Sequence, residues 1–150
     1  MQLAGAAAIA ASALAGCQTN GKSIDAVEIA NADREPVTMS HHDAKLFRAG
    51  MQVYLNSLFA ITSALSTNDR AGVATGAKAS GMSAVKDVSV SEALAMPPQF
   101  VLLAVDTHQR FDALAAAASS GATRSALLTQ LSDIVGNCTA CHAAYRVKEY

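Results

Sequence analysis

The chain has 150 residues, of which 51% are apolar and 15% charged. That length suits one domain, and the charge is too sparse for a disordered polymer. A net charge of −1 with neutral His offers no broad basic surface, so nucleic acid is not an expected partner. Roughly a fifth of the residues are Ala, β-branched residues are few, and the balance favours helix over sheet. Only 5% are aromatic and none is Trp. A core of Ala and Leu supplies little bulk to fill the space between helices.

Residues 1–16 read MQLAGAAAIAASALAG, without a charge. The run is shorter than the roughly 20 residues a bilayer span needs and has the form of a secretory signal. It closes on Leu14, Ala15, Gly16 and Cys17. This resembles the bacterial lipobox, in which the signal is cut before a Cys whose thiol is then acylated. The resemblance implies a lipidated Cys17 and an exported protein on the periplasmic side of a bacterial membrane. The family's basic residue ahead of the apolar run is absent here. Residues 17–39 are polar and aperiodic and are expected to form a tether.

From residue 40 on the pattern is helical. Ser40 is a candidate N-cap, with Asp43 completing a weak capping box. Phe47, Met51, Tyr54, Leu58, Ile61 and Leu65 recur every three or four residues, which predicts a helix over 41–66. A second helix is expected over 69–87, with Val73, Ala77, Ala84 and Val88 inward. Its Gly72, Gly76 and Gly81 suggest close backbone approach. Residues 89–96 are read as a connector, and Pro97-Pro98 as a helix start. The third long helix is expected over 98–119, with Phe111 a plain core residue and His108 exposed. Gly121 stops it. Thr123 caps a last helix over 124–147 with Leu127, Leu128, Leu131, Ile134 and Val135 apolar. No sustained strand pattern is present. The expected fold is all-α, an antiparallel up-down four-helix bundle occupying 40–150.

Cys138, Thr139, Ala140, Cys141 and His142 spell C-x-x-C-H, the attachment sequence of c-type haem. Two thiols one helical turn apart can form thioethers to the two vinyl groups of one porphyrin, and the adjacent imidazole can reach the iron. Other readings are weaker. A redox CxxC pair belongs at a helix N-terminus beside a βαβ pattern. A zinc site would need a second Cys pair, with only His41 and His42 as supplements. A disulfide within one helix constrains little.

With Tyr145 and Arg146 the motif extends to C-x-x-C-H-x-x-Y-R near the C-terminus. That resembles the cytochrome c′ and cytochrome c556 family, the class II c-type cytochromes. The resemblance covers roughly residues 41–150 and is densest over 124–148. It implies a bundle holding one covalent haem c, commonly in a homodimer, and electron transfer rather than enzymatic catalysis. Carried over, Cys138 and Cys141 attach the haem and His142 is the proximal ligand. Tyr145 packs at its edge, Arg146 tunes the proximal side and Arg48 lies near the propionates, while Phe59 is read as a core residue on the side of the haem. The family interval from Arg48 and Phe59 sets the distal position at Gln52. Its neighbour Met51, one residue away, lies on the apolar stripe and is the expected sixth ligand. An open or Gln52-lined site would instead imply a gas-binding protein for NO or CO. The chain departs from the family in lacking any Trp and in having a short segment before its third helix. On the carrier reading its partners are periplasmic redox proteins.

Overall fold

In this computed structural model the described residues are 33–150, so the expected signal, Cys17 and most of the expected tether lie outside them. Helix accounts for about three quarters of what is described. The order is β1 (Glu35–Met39), α1 (His41–Ser66), α2 (Arg70–Lys78), a 3-10 turn (Met82–Val85), α3 (Val90–Leu94), α4 (Pro98–Ser119), α5 (Arg124–Ala144) and β2 (Tyr145–Glu149).

The caps explain where the helices begin. Ser40 Oγ accepts from the Asp43 amide at 3.1 Å. The Asp43 carboxylate takes the Ser40 hydroxyl rather than the Ser40 backbone, so the expected reciprocal box is only half built. Asp69 caps α2, Pro98 occupies the first turn of α4, and Thr123 caps α5. Gly121 adopts φ +81°, a left-handed conformation that ends α4 at little cost.

The second helix is shorter than expected. It stops at Lys78, because the backbone amide of Met82 turns to the Asp112 carboxylate at 2.9 Å. Ala84 and Val88, expected inward, are exposed. The glycines act as their spacing suggests. A Cβ on Gly76 would lie 3.1 Å from Ala60 Cβ and 3.2 Å from Ile61, so α2 rests directly on α1.

Two strands were not expected. Residues 35–39, assigned to the tether, form β1, and residues 145–147, assigned to the last helix, open β2. The strands pair in parallel, with Val37 opposite Val147. The reason is local: Val37 and Met39 alternate inward, and Tyr145 and Val147 favour extended backbone. The pairing sets the start of β1 beside the end of α5 and the end of β2 beside the start of α1.

The main core joins Ile61, Leu65, Val73, Ala77, Phe111, Leu114, Leu127, Leu131 and Ile134 from all four longer helices. A second cluster at the strand end holds Val37, Met39, Ala44 and Phe100. Phe111 is wholly buried, whereas Phe59 is 73% exposed. Phe111→Ala is therefore expected to cost about 3–5 kcal/mol, and Phe59→Ala less than about 0.5 kcal/mol. Urea denaturation of the two variants checks both.

Candidate functional site: the thiol pair and its seam

The site stands on the last turns of α5. Cys138 and Cys141 lie one turn apart beside the buried row Leu127, Leu131 and Ile134. Both thiols are free and only partly exposed. Burial pushes both above the usual thiol range, and the neighbouring Cys138 charge adds to the effect at Cys141. Asn137 anchors this stretch to α4, donating to the Asp106 carboxylate at 2.6 Å and to Thr107 Oγ1 at 3.3 Å. Arg110 bonds the same Asp106 at 2.6 Å, and the two donors hold that carboxyl below its usual range.

Aromatic side chains gather on the inner side. Cys141 packs on the cluster of Val37, Met39, Ala44 and Phe100, as do Phe47, Met96 and Tyr145. The rings of Phe47 and Phe100 lie 5.9 Å apart, and Tyr145 meets Phe100 edge-on at 5.3 Å. Tyr145 joins the same cluster as Cys141, from the first residue of a strand.

Beneath them lies a polar pair the sequence did not reveal. His108, expected to be exposed, is only 4% exposed. Its Nδ1 meets the Ser80 carbonyl at 2.8 Å. A carbonyl only accepts, so Nδ1 carries the proton and Nε2 accepts from the Tyr54 hydroxyl. Both ring nitrogens are satisfied, which makes burial tolerable. The polar sequence neighbours Gln109 and Arg110 point elsewhere because each residue turns the helix by about 100°. Tyr54 stacks on Phe111 at 5.8 Å. Its phenol is raised well above the ordinary range by desolvation first and then by the charges of Cys138 and Cys141, so it senses both thiols.

The neighbouring helix pairs α1–α2, α2–α4 and α4–α5 pack closely, whereas α1 and α5 do not. Helical geometry shows what flanks this seam. On α1 the side turned from α2 carries Met51, Leu55 and Phe59. On α5 the side turned from α4 carries Leu128, Val135 and His142, each seven residues from the next. Leu55 and Phe59 are 59% and 73% exposed, and Leu128 and Val135 are 44% and 41% exposed. Met51 is half-buried. Gln52 turns further outward and donates to Asn56 at 3.2 Å.

The donor set suits haem c: two free thiols, an imidazole at the seam and an apolar lining. Arg146 Nε is buried and has no partner, an N–H that a carboxylate could satisfy. Arg48 is instead engaged by Glu149 at 2.7 Å. The supplements considered for zinc are not brought to the thiols. His41 bonds Glu149, and no three His, Cys, Asp or Glu groups converge as metal ligands among the described residues.

No family model, curated protein or solved structure matches the chain.

The raised Tyr54 phenol has a stability consequence. Below about pH 10 both folded and unfolded chains hold the proton, and its contribution is fully present. Above that the unfolded chain releases the proton first, so stability falls as pH rises towards the folded value. Urea midpoints for the wild type are expected to drop steeply above about pH 10, and those of Tyr54→Phe less steeply. Equal slopes would remove Tyr54 as the cause.

Proposed function

We propose that the protein is an electron-transfer haem protein of the class II c-type cytochrome kind. The carrying observation is one constellation: two free, half-buried thiols a turn apart, with His142 and Met51 bordering the same open seam. On this reading α1, α2, α4 and α5 form the antiparallel up-down bundle.

Bound haem c supplies an iron that alternates between ferrous and ferric. The protein's residues do the rest. Cys138 and Cys141 hold the group through two thioethers, so it cannot leave while its charge changes. His142 would hold the iron through an imidazole nitrogen and Met51 through its thioether sulfur. Met51 is favoured over Gln52 because it is half-buried on the seam side of α1, while Gln52 is exposed and bonded to Asn56. Phe47, Phe100, Tyr54 and Tyr145 exclude water on the thiol side, which lowers the local dielectric and helps set the potential. Arg146 offers its unpartnered N–H to a propionate. Arg48 reaches a propionate only by releasing Glu149. Phe59 borders the seam at its rim. No bond in a substrate is made or broken, so the protein is a carrier and not an enzyme.

The carrier works on the periplasmic side of a bacterial membrane, held by lipid on Cys17, and exchanges electrons with redox proteins there. A homodimer is consistent with this reading.

The unmodified ferric protein is expected to be low-spin, and Met51→Ala to turn it high-spin while Gln52→Ala leaves it unchanged. Optical spectra in the presence and absence of CO read this directly. A high-spin wild type that takes up CO would replace the carrier with the NO- or CO-binding reading. A pyridine haemochrome assay should find covalent haem in the wild type and none once both Cys138 and Cys141 are replaced by Ser; a wild type without covalent haem would end both haem readings.

A further inference from the structure

The connector between the 3-10 turn and α4 holds an unusual helix. α3 has five residues and buries none of them, yet its start is fully capped. Ser89 Oγ accepts from the Glu92 amide, and Glu92 returns to the Ser89 amide at 2.7 Å. The helix is therefore held in shape while presenting Val90 and Leu94 to solvent at 76% and 80% exposure. Two exposed β- or γ-branched side chains four residues apart share one face. Val88, just ahead, is 50% exposed.

The position of this face matters. Glu92 feels the charge of Asp43 in the first turn of α1. Leu46, one turn beyond Asp43, is itself 59% exposed. Met96, two residues after α3, packs on Val37, Met39, Ala44 and Phe100. So α3 lies at the strand end of the domain, where the chain enters β1 from the segment expected to carry the lipid. Residues 17–32 span at most roughly 55 Å even when fully extended. The segment joins the domain at this end, so the face of α3 lies at the shortest reach from the anchor.

We propose that the apolar face of α3, Val90 and Leu94 with Leu46 and Val88 beside it, is a lipid contact that seats the domain on the bilayer surface. The occupant is the headgroup–acyl boundary of the membrane that holds the anchor. An interfacial helix needs an apolar face and a polar backing, and Ser89, Ser91 and Glu92 supply the latter. The contact lies on the surface; among the described residues no helix is long and apolar enough to cross a membrane. It also sets orientation. With α3 on the lipid, the end of the domain bearing the thiol pair faces the membrane. This inference rests on the lipid-anchor part of the proposed function and not on the haem ligands.

The absence of Trp makes the test direct. The full haem-loaded chain is prepared as Leu94→Trp, and separately as Ser63→Trp near the far end of α1. Both sites are exposed, so neither change disturbs the core. Each is reconstituted on vesicles of phosphatidylethanolamine and phosphatidylglycerol, with plain or brominated acyl chains. The proposal expects the chain to float with the vesicles. L94W emission should shift to shorter wavelength and lose intensity on brominated lipid, with S63W unmoved. If the chain floats but L94W behaves like S63W, the anchor stands and the lipid contact is overturned. If the chain does not float, the anchor fails and the contact fails with it. A shift already present without vesicles and growing with protein concentration also overturns the proposal, because a second copy then covers the face.

Discussion

The parallel pairing of β1 with β2 is the constraint on which the site depends. α1 and α5 do not pack together along their length, so nothing between their barrels fixes their separation. The strands do it from outside. β1 runs into α1 and β2 runs out of α5, and their register sets Glu35 opposite Tyr145 and Met39 opposite Glu149. Around the sheet, Arg34 donates to the His142 carbonyl at 2.8 Å, and Glu149 joins Arg48 and His41 across from α1. The two ion pairs of Glu149 are exposed and contribute little each. Their value is positional. Arg34 ties the segment before β1 to the last turn of α5, and Glu149 ties the end of β2 to the first turns of α1. The seam is therefore closed at one end by hydrogen-bonded backbone and lined by apolar side chains beyond it.

A second set of constraints works from within. The His108 ring ties the end of α2, through the Ser80 carbonyl, to α1 through Tyr54, while His108 itself belongs to α4. Ser80 also bonds Ser57 at 2.8 Å in full burial. Satisfied polar pairs of this kind add modest net stability, yet any other packing would leave a buried donor or acceptor unpaired. They specify one arrangement of the three helices. Asn137 extends the specification to α5, one residue before Cys138. The thiols thus stand on a helix whose rotation is fixed by a polar anchor on one side and the row Leu127, Leu131 and Ile134 on the other.

The long helices were legible because their signals are local and repeated. The stripe from Phe47 to Leu65 and the caps at Ser40 and Thr123 set α1 and the start of α5, and the prolines at 97–98 set α4. The thiol pair was legible because its spacing is chemical rather than structural. What escaped depends on contacts distant in sequence. β1 has two inward residues, Val37 and Met39, too few to announce a strand without its partner over a hundred residues away. His108 sits among polar neighbours, and only the fold brings Tyr54 and Ser80 to it. The early end of α2 reflects an Asp112 carboxylate contributed by α4. Arg48 shows the same limit, since its sequence position says nothing of Glu149.

The scarcity of aromatic bulk also takes on a different meaning. Small residues do not leave the whole core loose. Where α1, α2 and α4 meet, Ala64, Ala74, Ala77, Ala115 and Ala118 are buried, and Gly76 brings the α2 backbone against Ala60 and Ile61. Helices that approach so closely need no large side chains between them. The aromatic residues are instead concentrated. Phe47, Phe100 and Tyr145 share the cluster against which Cys141 packs, and Tyr54 stacks on Phe111. The domain is tight and aliphatic away from the strands and aromatic beside the thiols. The room a porphyrin would need therefore does not come from a generally underfilled bundle. On the proposed reading it would come from the seam between α1 and α5, where Leu55 and Phe59 on one side and Leu128 and Val135 on the other are exposed.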